Sequence, residues 1–87
     1  MASEAEIIRQ IENIVIPHYY RYWHIGLTDD PDRRKIEHGN PKTWYQWEAD
    51  SEPVARSVES YLVHNTKMQG ETGGAGWKYV YMFMKVS

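Results

Sequence analysis

Between Trp77 and Val86 the chain reads Trp-Lys-Tyr-Val-Tyr-Met-Phe-Met-Lys-Val, apolar on both period-two faces except at Lys78 and Lys85. A strand with two apolar faces needs cover on both sides, so this run predicts a central strand with helices packed over its sheet. A chain of 87 residues has room for one such core, which makes residues 1–87 a single domain. Four Trp and seven Tyr supply most of the large surfaces it can bury.

The remaining elements are punctuated by helix-start signals. Ser3 and Glu6 have the spacing of a capping box, and Ile7, Ile8, Ile11, Ile14 and Val15 recur at helical intervals. They predict a helix over about residues 4–15, stopped by Pro17, so that residues 1–16 form an N-terminal helix and 19–86 the core. Tyr19–Thr28 is aromatic-rich and suits a strand, with Tyr20, Tyr22 and His24 on one face. Asp30-Pro31 opens a short helix ending near His38 and Gly39. Trp44-Tyr45-Gln46-Trp47 reads as a strand, and Asp50-Ser51-Glu52-Pro53 opens a helix with Val54, Ala55, Val58, Tyr61 and Leu62 as its buried stripe. Gly70, Gly73, Gly74 and Gly76 mark a loop before the last strand. The order α-β-α-β-α-β, without internal repeats, gives a compact α+β or split α/β domain.

Cysteine is absent, which excludes a disulfide scaffold and thiolate metal sites and fits a reducing compartment. Neither a signal peptide nor a transmembrane run is present, so the expected setting is cytoplasmic, away from membranes. Ten Lys plus Arg against twelve Asp plus Glu give a formal charge of -2, which argues against tight autonomous binding of duplex DNA. The dense basic patch, Arg33-Arg34-Lys35, is offset by Asp29, Asp30, Asp32 and Glu37, so any nucleic-acid affinity should be weak and salt-sensitive.

Three groups of residues could carry chemistry. Arg34 and His38 lie four apart on one helix and project from one face. A guanidinium stabilises charge on phosphoryl oxygens and an imidazole holds or moves a proton, although the same pair also reads as a solvated helix face. Glu59 falls between Ala55 and Leu62, at the margin of a buried stripe. Its carboxylate needs a partner there, either Mg²⁺, for which one carboxylate plus water and phosphate oxygens suffices, or a salt bridge such as one to Arg56. Tyr19, Tyr20 and Tyr22 beside His24 could help deprotonate water or simply pack on the sheet. His18, His24, His38 and His64 lack the short paired spacing of a zinc site, and the glycines lack the Lys-Ser/Thr ending of a phosphate-binding loop.

Together these features resemble the GIY-YIG nuclease family. His24-Ile25-Gly26 is similar to the family's second tripeptide, Arg34 stands at the distance of the catalytic arginine, and His38 follows one turn later. Glu59-Ser60-Tyr61-Leu62-Val63 resembles the stretch whose glutamate binds the single divalent metal. The resemblance spans about residues 19–86. It implies a small mixed or antiparallel three-stranded sheet flanked by helices, with water attacking a phosphodiester near one Mg²⁺ or Mn²⁺. The implied site is Arg34, His38, His24, Tyr22 and Tyr20 as catalytic candidates, with Glu59 on the metal.

Two departures stand out: no Gly-Ile-Tyr tripeptide precedes His24, and no late asparagine matches the family's. The functional expectation is an endonuclease-like phosphodiesterase acting on nucleic acid, DNA ahead of RNA, with room for a protein partner that supplies specificity. The alternatives are a catalytically inactive relative that only binds, and a protein-interaction module presenting exposed Trp and Tyr.

Overall fold

The computed structural model describes residues 1–71 and 75–84. Their elements are α1 (Glu4–Ile14), a 3-10 turn (Pro17–Tyr22), β1 (Trp23–Thr28), α2 (Pro31–Glu37), β2 (Trp44–Glu48), α3 (Glu52–Asn65), β3 (Gln69–Gly70) and β4 (Tyr79–Met84).

Local chemistry sets most of the boundaries. The Ser3 hydroxyl accepts from the Glu6 amide at 3.2 Å and starts α1, whose Ile7 and Ile11 are fully buried. Asp30 accepts from the Arg33 amide at 3.2 Å, Pro31 follows without needing a donor, and α2 begins. It ends where Gly39 adopts φ +85°, letting the Gly39 and Asn40 amides reach back to the Ile36 and Lys35 carbonyls. Ser51, rather than Asp50, caps α3 by accepting from the Val54 amide at 3.4 Å.

The sheet has four strands in the order β2-β4-β1-β3. β4 lies antiparallel between β1 and β2, the interior position that its two apolar faces predicted. Its expected end at Lys85 and Val86 falls outside the described residues. The expected count of three strands is corrected by β3, which pairs parallel to β1 through Gln69 and Gly70. Two residues, one polar and one glycine, carry no period-two pattern by which to recognise a strand. The expected strand Tyr19–Thr28 is also shorter than read: Pro17 opens a 3-10 turn that takes up Tyr19, Tyr20 and Tyr22.

Period two gives the sheet two unlike faces. Trp23, Ile25 and Leu27 of β1 and Val80 and Met82 of β4 join Ile7 and Ile11 of α1 and Ala55, Val58 and Leu62 of α3 in one apolar core. His24, Gly26 and Thr28 alternate with them in β1, as Tyr81 and Phe83 do in β4, and this opposite face meets α2. The result is a compact α+β domain with a mixed sheet, α1 and α3 on one side and α2 on the other. Among the described residues, no helix is long and apolar enough to cross a membrane.

Candidate active site

The site grows from a glycine. Gly26 sits in mid-strand directly opposite Tyr81 in the β1–β4 register, and a Cβ at Gly26 would collide with the Tyr81 phenol ring and hydroxyl. A glycine inside a strand commonly marks such a close approach. The phenol therefore lies flat across β1, fully buried, with Trp44 stacked on it at 4.7 Å between centroids and 6° between planes.

At the Tyr81 hydroxyl two helix side chains meet. Arg34 donates to it from Nε at 3.3 Å and from Nη2 at 3.1 Å, and His38 Nε2 lies 3.1 Å away. Arg34 lies in α2 and His38 caps its C-terminus, four residues apart on one face, as the sequence spacing required. Arg34 also donates through Nη1 to Glu37 at 2.8 Å, and its side chain is 13% exposed. His38 packs against Phe83 at 4.5 Å and Tyr81 at 5.6 Å between ring centroids.

Donor counting fixes the proton positions. Arginine only donates, so its two bonds occupy the lone pairs of the Tyr81 oxygen. The single O–H of Tyr81 then has His38 Nε2 as its acceptor, which requires that nitrogen to be unprotonated. Burial lowers the His38 pKa from its ordinary value, Arg34 and His24 lower it further, and Glu71 and Glu37 work in the opposite direction. A neutral imidazole follows at neutral pH. Burial also raises the Tyr81 phenol, against Arg34, with Glu71 and Glu59 adding to the rise.

A third chain segment closes the site. β3 runs beside β1, and the Glu71 amide donates to the Ile25 carbonyl at 2.8 Å, which carries the Glu71 carboxylate to the imidazoles. Oε2 lies 2.9 Å from His24 Nδ1, and Oε1 lies 3.6 Å from His38 Nδ1. His24 stacks on Phe83 at 5.1 Å between centroids.

Glu59, on α3, is partly buried and makes no hydrogen bond or ion pair with any described residue. The anticipated bridge to Arg56 goes elsewhere, because Arg56 binds Glu52 at 2.8 Å. Burial raises the Glu59 pKa, with Arg56 offsetting part of the effect. α3 packs on the face of the sheet opposite α2, and among the described residues no hydrogen bond or ion pair joins Glu59 to Arg34, His38 or Tyr81; its charge adds to the rise of the Tyr81 pKa through space. Among the described residues, no group of three or more His, Asp or Glu could hold a metal ion.

Of the residues singled out from sequence, Arg34, His38 and His24 converge. Tyr20 and Tyr22 do not join them: Tyr22 is 50% exposed against Tyr19, and Tyr20 packs on the apolar core near Glu12 and Tyr61. Their assigned face was that of His24, but the 3-10 turn breaks the alternation before it can extend to them. The tyrosine at the site is Tyr81, which sequence reading counted only as part of a strand. The mid-strand glycine was the available signal, since it asks for a bulky neighbour on the next strand. Glu71 carried no comparable signal, because its place depends on the short pairing of β3.

Beside Arg34 a cleft of about 250 Å³ is lined by Thr28, Asp29, Asp30, Arg33, Glu37 and Ala75. Asp29 forms its wall by accepting from the Trp77 and Lys78 amides at 2.9 and 3.1 Å, which lower its pKa. Gly76, at φ +95°, passes so close to this carboxylate that a Cβ would overlap it. The loop end is thereby anchored next to the site.

Comparison with known proteins returned no match: no family model, curated protein or solved structure matches this chain.

Proposed function

We propose that this domain hydrolyses phosphodiester bonds of nucleic acid with the help of one divalent cation. The observation that carries the reading is the Tyr81 hydroxyl, held between the Arg34 guanidinium and the His38 imidazole above Gly26. A phenol with a cation on its lone pairs and a neutral base on its proton is prepared to exchange protons.

The resemblance to GIY-YIG nucleases supports the same reading. The tyrosine of the missing Gly-Ile-Tyr tripeptide has a counterpart in Tyr81, which the last strand lays beside His24-Ile25-Gly26. On this reading Arg34 gives up one of its two bonds to the Tyr81 oxygen as it turns to the phosphate, Tyr81 passes its proton to His38 Nε2, and the freed lone pair takes a proton from the attacking water. The water oxygen forms the new bond to phosphorus while the bond to the departing sugar oxygen breaks. That oxygen takes a proton from solvent, and His38 returns one to solvent. Arg34 meets the charge gathering on the phosphoryl oxygens, with the phosphate exchanging for the half-exposed Glu37 carboxylate on Nη1.

Glu59 fits a hard cation that keeps most of its shell as water and phosphate oxygens, being a partly buried carboxylate with no other hydrogen-bonding partner. Mg²⁺ or Mn²⁺ held by Glu59 would supply positive charge to the phosphate oxygens that join its shell. The acidic surroundings of Arg34 favour weak substrate binding, with any specificity supplied by a partner.

The test is cleavage of single-stranded and plasmid substrates with Mg²⁺ or Mn²⁺. Arg34→Ala is expected to lower the rate by about 10²–10³-fold, and Glu59→Gln to remove the dependence on added cation. Cleavage that survives both substitutions contradicts the reading. Unaltered substrate with the wild-type protein, together with retained binding, leaves the module as a non-catalytic binder.

A further inference from the structure

Glu71 serves neither the core nor any surface ion-pair network, yet its carboxylate is directed inward at two imidazoles from different elements. It is 25% exposed in its side chain, and its backbone is pinned to β1 by the bond to Ile25. An ionised carboxylate only accepts, so the His24 nitrogen 2.9 Å from Oε2 must carry a proton. The proton of neutral His38 sits on Nδ1 as well, because Nε2 accepts from Tyr81, and that Nδ1 faces Oε1 at 3.6 Å. One carboxylate thus faces a protonated Nδ1 in both rings, through a hydrogen bond to His24 and a longer electrostatic contact to His38.

From this geometry we infer that Glu71 is a positioning residue: it keeps the proton of His38 on Nδ1, from a carboxylate braced by the Nδ1–H of His24, and so keeps the His38 Nε2 lone pair on the Tyr81 hydroxyl. The inference rests on the proposed phosphodiesterase reading for its catalytic consequence, but the tautomers themselves do not. An imidazole whose second nitrogen is anchored by a carboxylate is both oriented and made a better base. His38 would otherwise have two ways to carry its single proton, and only one of them can accept from Tyr81.

The groups acting on His38 are Arg34 and Glu37 from α2, His24 from β1 and Glu71 after β3. Tyr81 is acted on by Arg34, by Glu71 and by Glu59 from α3. Removing the Glu71 charge takes away an influence that raises the His38 pKa, so the acidic limb of a pH–rate profile should move to lower pH. A purely structural role for Glu71 would alter thermal stability without moving that limb.

The experiment is ¹⁵N NMR of the histidine rings in the intact chain, with Glu71→Gln and Glu71→Asp beside wild type. The amide of glutamine offers one acceptor oxygen, which satisfies one Nδ1–H and leaves the other facing a donor. The expected wild-type spectrum shows Nδ1 of His24 and of His38 protonated and Nε2 of His38 bare. Glu71→Gln should shift one ring to the other tautomer and lower kcat at least about tenfold with KM little changed. Glu71→Asp should restore part of both signals. A wild-type His38 protonated at Nε2, or tautomers indifferent to Glu71→Gln, overturns the assignment. If the wild-type protein cleaves nothing, the phosphodiesterase reading fails while the NMR spectra still decide the role of Glu71.

Discussion

The two faces of the sheet are built from alternate residues of the same strands, yet they obey different rules. On one, Ile25 and Val80 meet α1 and α3 through contacts that need only shape and hydrophobicity. On the other, Tyr81 lies over Gly26 and meets Arg34 and His38, and His24 meets Glu71, through hydrogen bonds whose directions leave little freedom. The first face tolerates a change of side chain in proportion to the volume lost. The second depends on a phenol lying flat over a glycine, and a single methyl group disturbs it.

This contrast can be broken by substitution. Leu62→Ala, on the aliphatic side, should cost about 2–5 kcal/mol in urea unfolding. Its pH dependence should keep the wild-type shape, and a changed shape would mean that the faces are coupled. Gly26→Ala should cost about 1–3 kcal/mol because the new Cβ displaces the Tyr81 ring. Its fluorescence should also change, since Trp44 stacks on that ring; an unaltered signal at full stability would deny the close approach. Ser51→Ala removes the cap of α3 and should cost about 1 kcal/mol, leaving the Tyr81 cluster untouched.

A smaller effect separates the faces by pH. The His38 pKa is lowered in the folded chain, so between the folded value and the ordinary value of about 6.5 the unfolded chain binds the proton first. The contribution of His38 to stability is present above the ordinary value and is lost as pH falls towards the folded value. His38→Gln should flatten that slope relative to wild type in denaturant titrations across this range. Equal slopes would place His38 in water rather than against Phe83.

Much of this arrangement was legible in the chain before its coordinates. Asp30-Pro31 and the Ser3 cap marked helix starts, and the apolar run after Trp77 marked an interior strand. The four-residue spacing of Arg34 and His38 already joined them on one face. What stayed hidden were relations between distant segments. Tyr81 is 47 positions from Arg34, and only the β1–β4 register brings it opposite Gly26. Glu71 reaches His24 through two paired residues that have no pattern of their own. Tyr20 and Tyr22 were misread for the opposite reason: local composition suggested a strand, and Pro17 imposed a turn.

The most direct test of the proposed phosphodiesterase is the cleavage rate of Tyr81→Phe against wild type. This substitution keeps the ring over Gly26 and under Trp44 and removes only the hydroxyl on which Arg34 and His38 meet. The account predicts a fall of about 100-fold or more with the protein still folded. A Tyr81→Phe protein that cleaves as fast as wild type would contradict it.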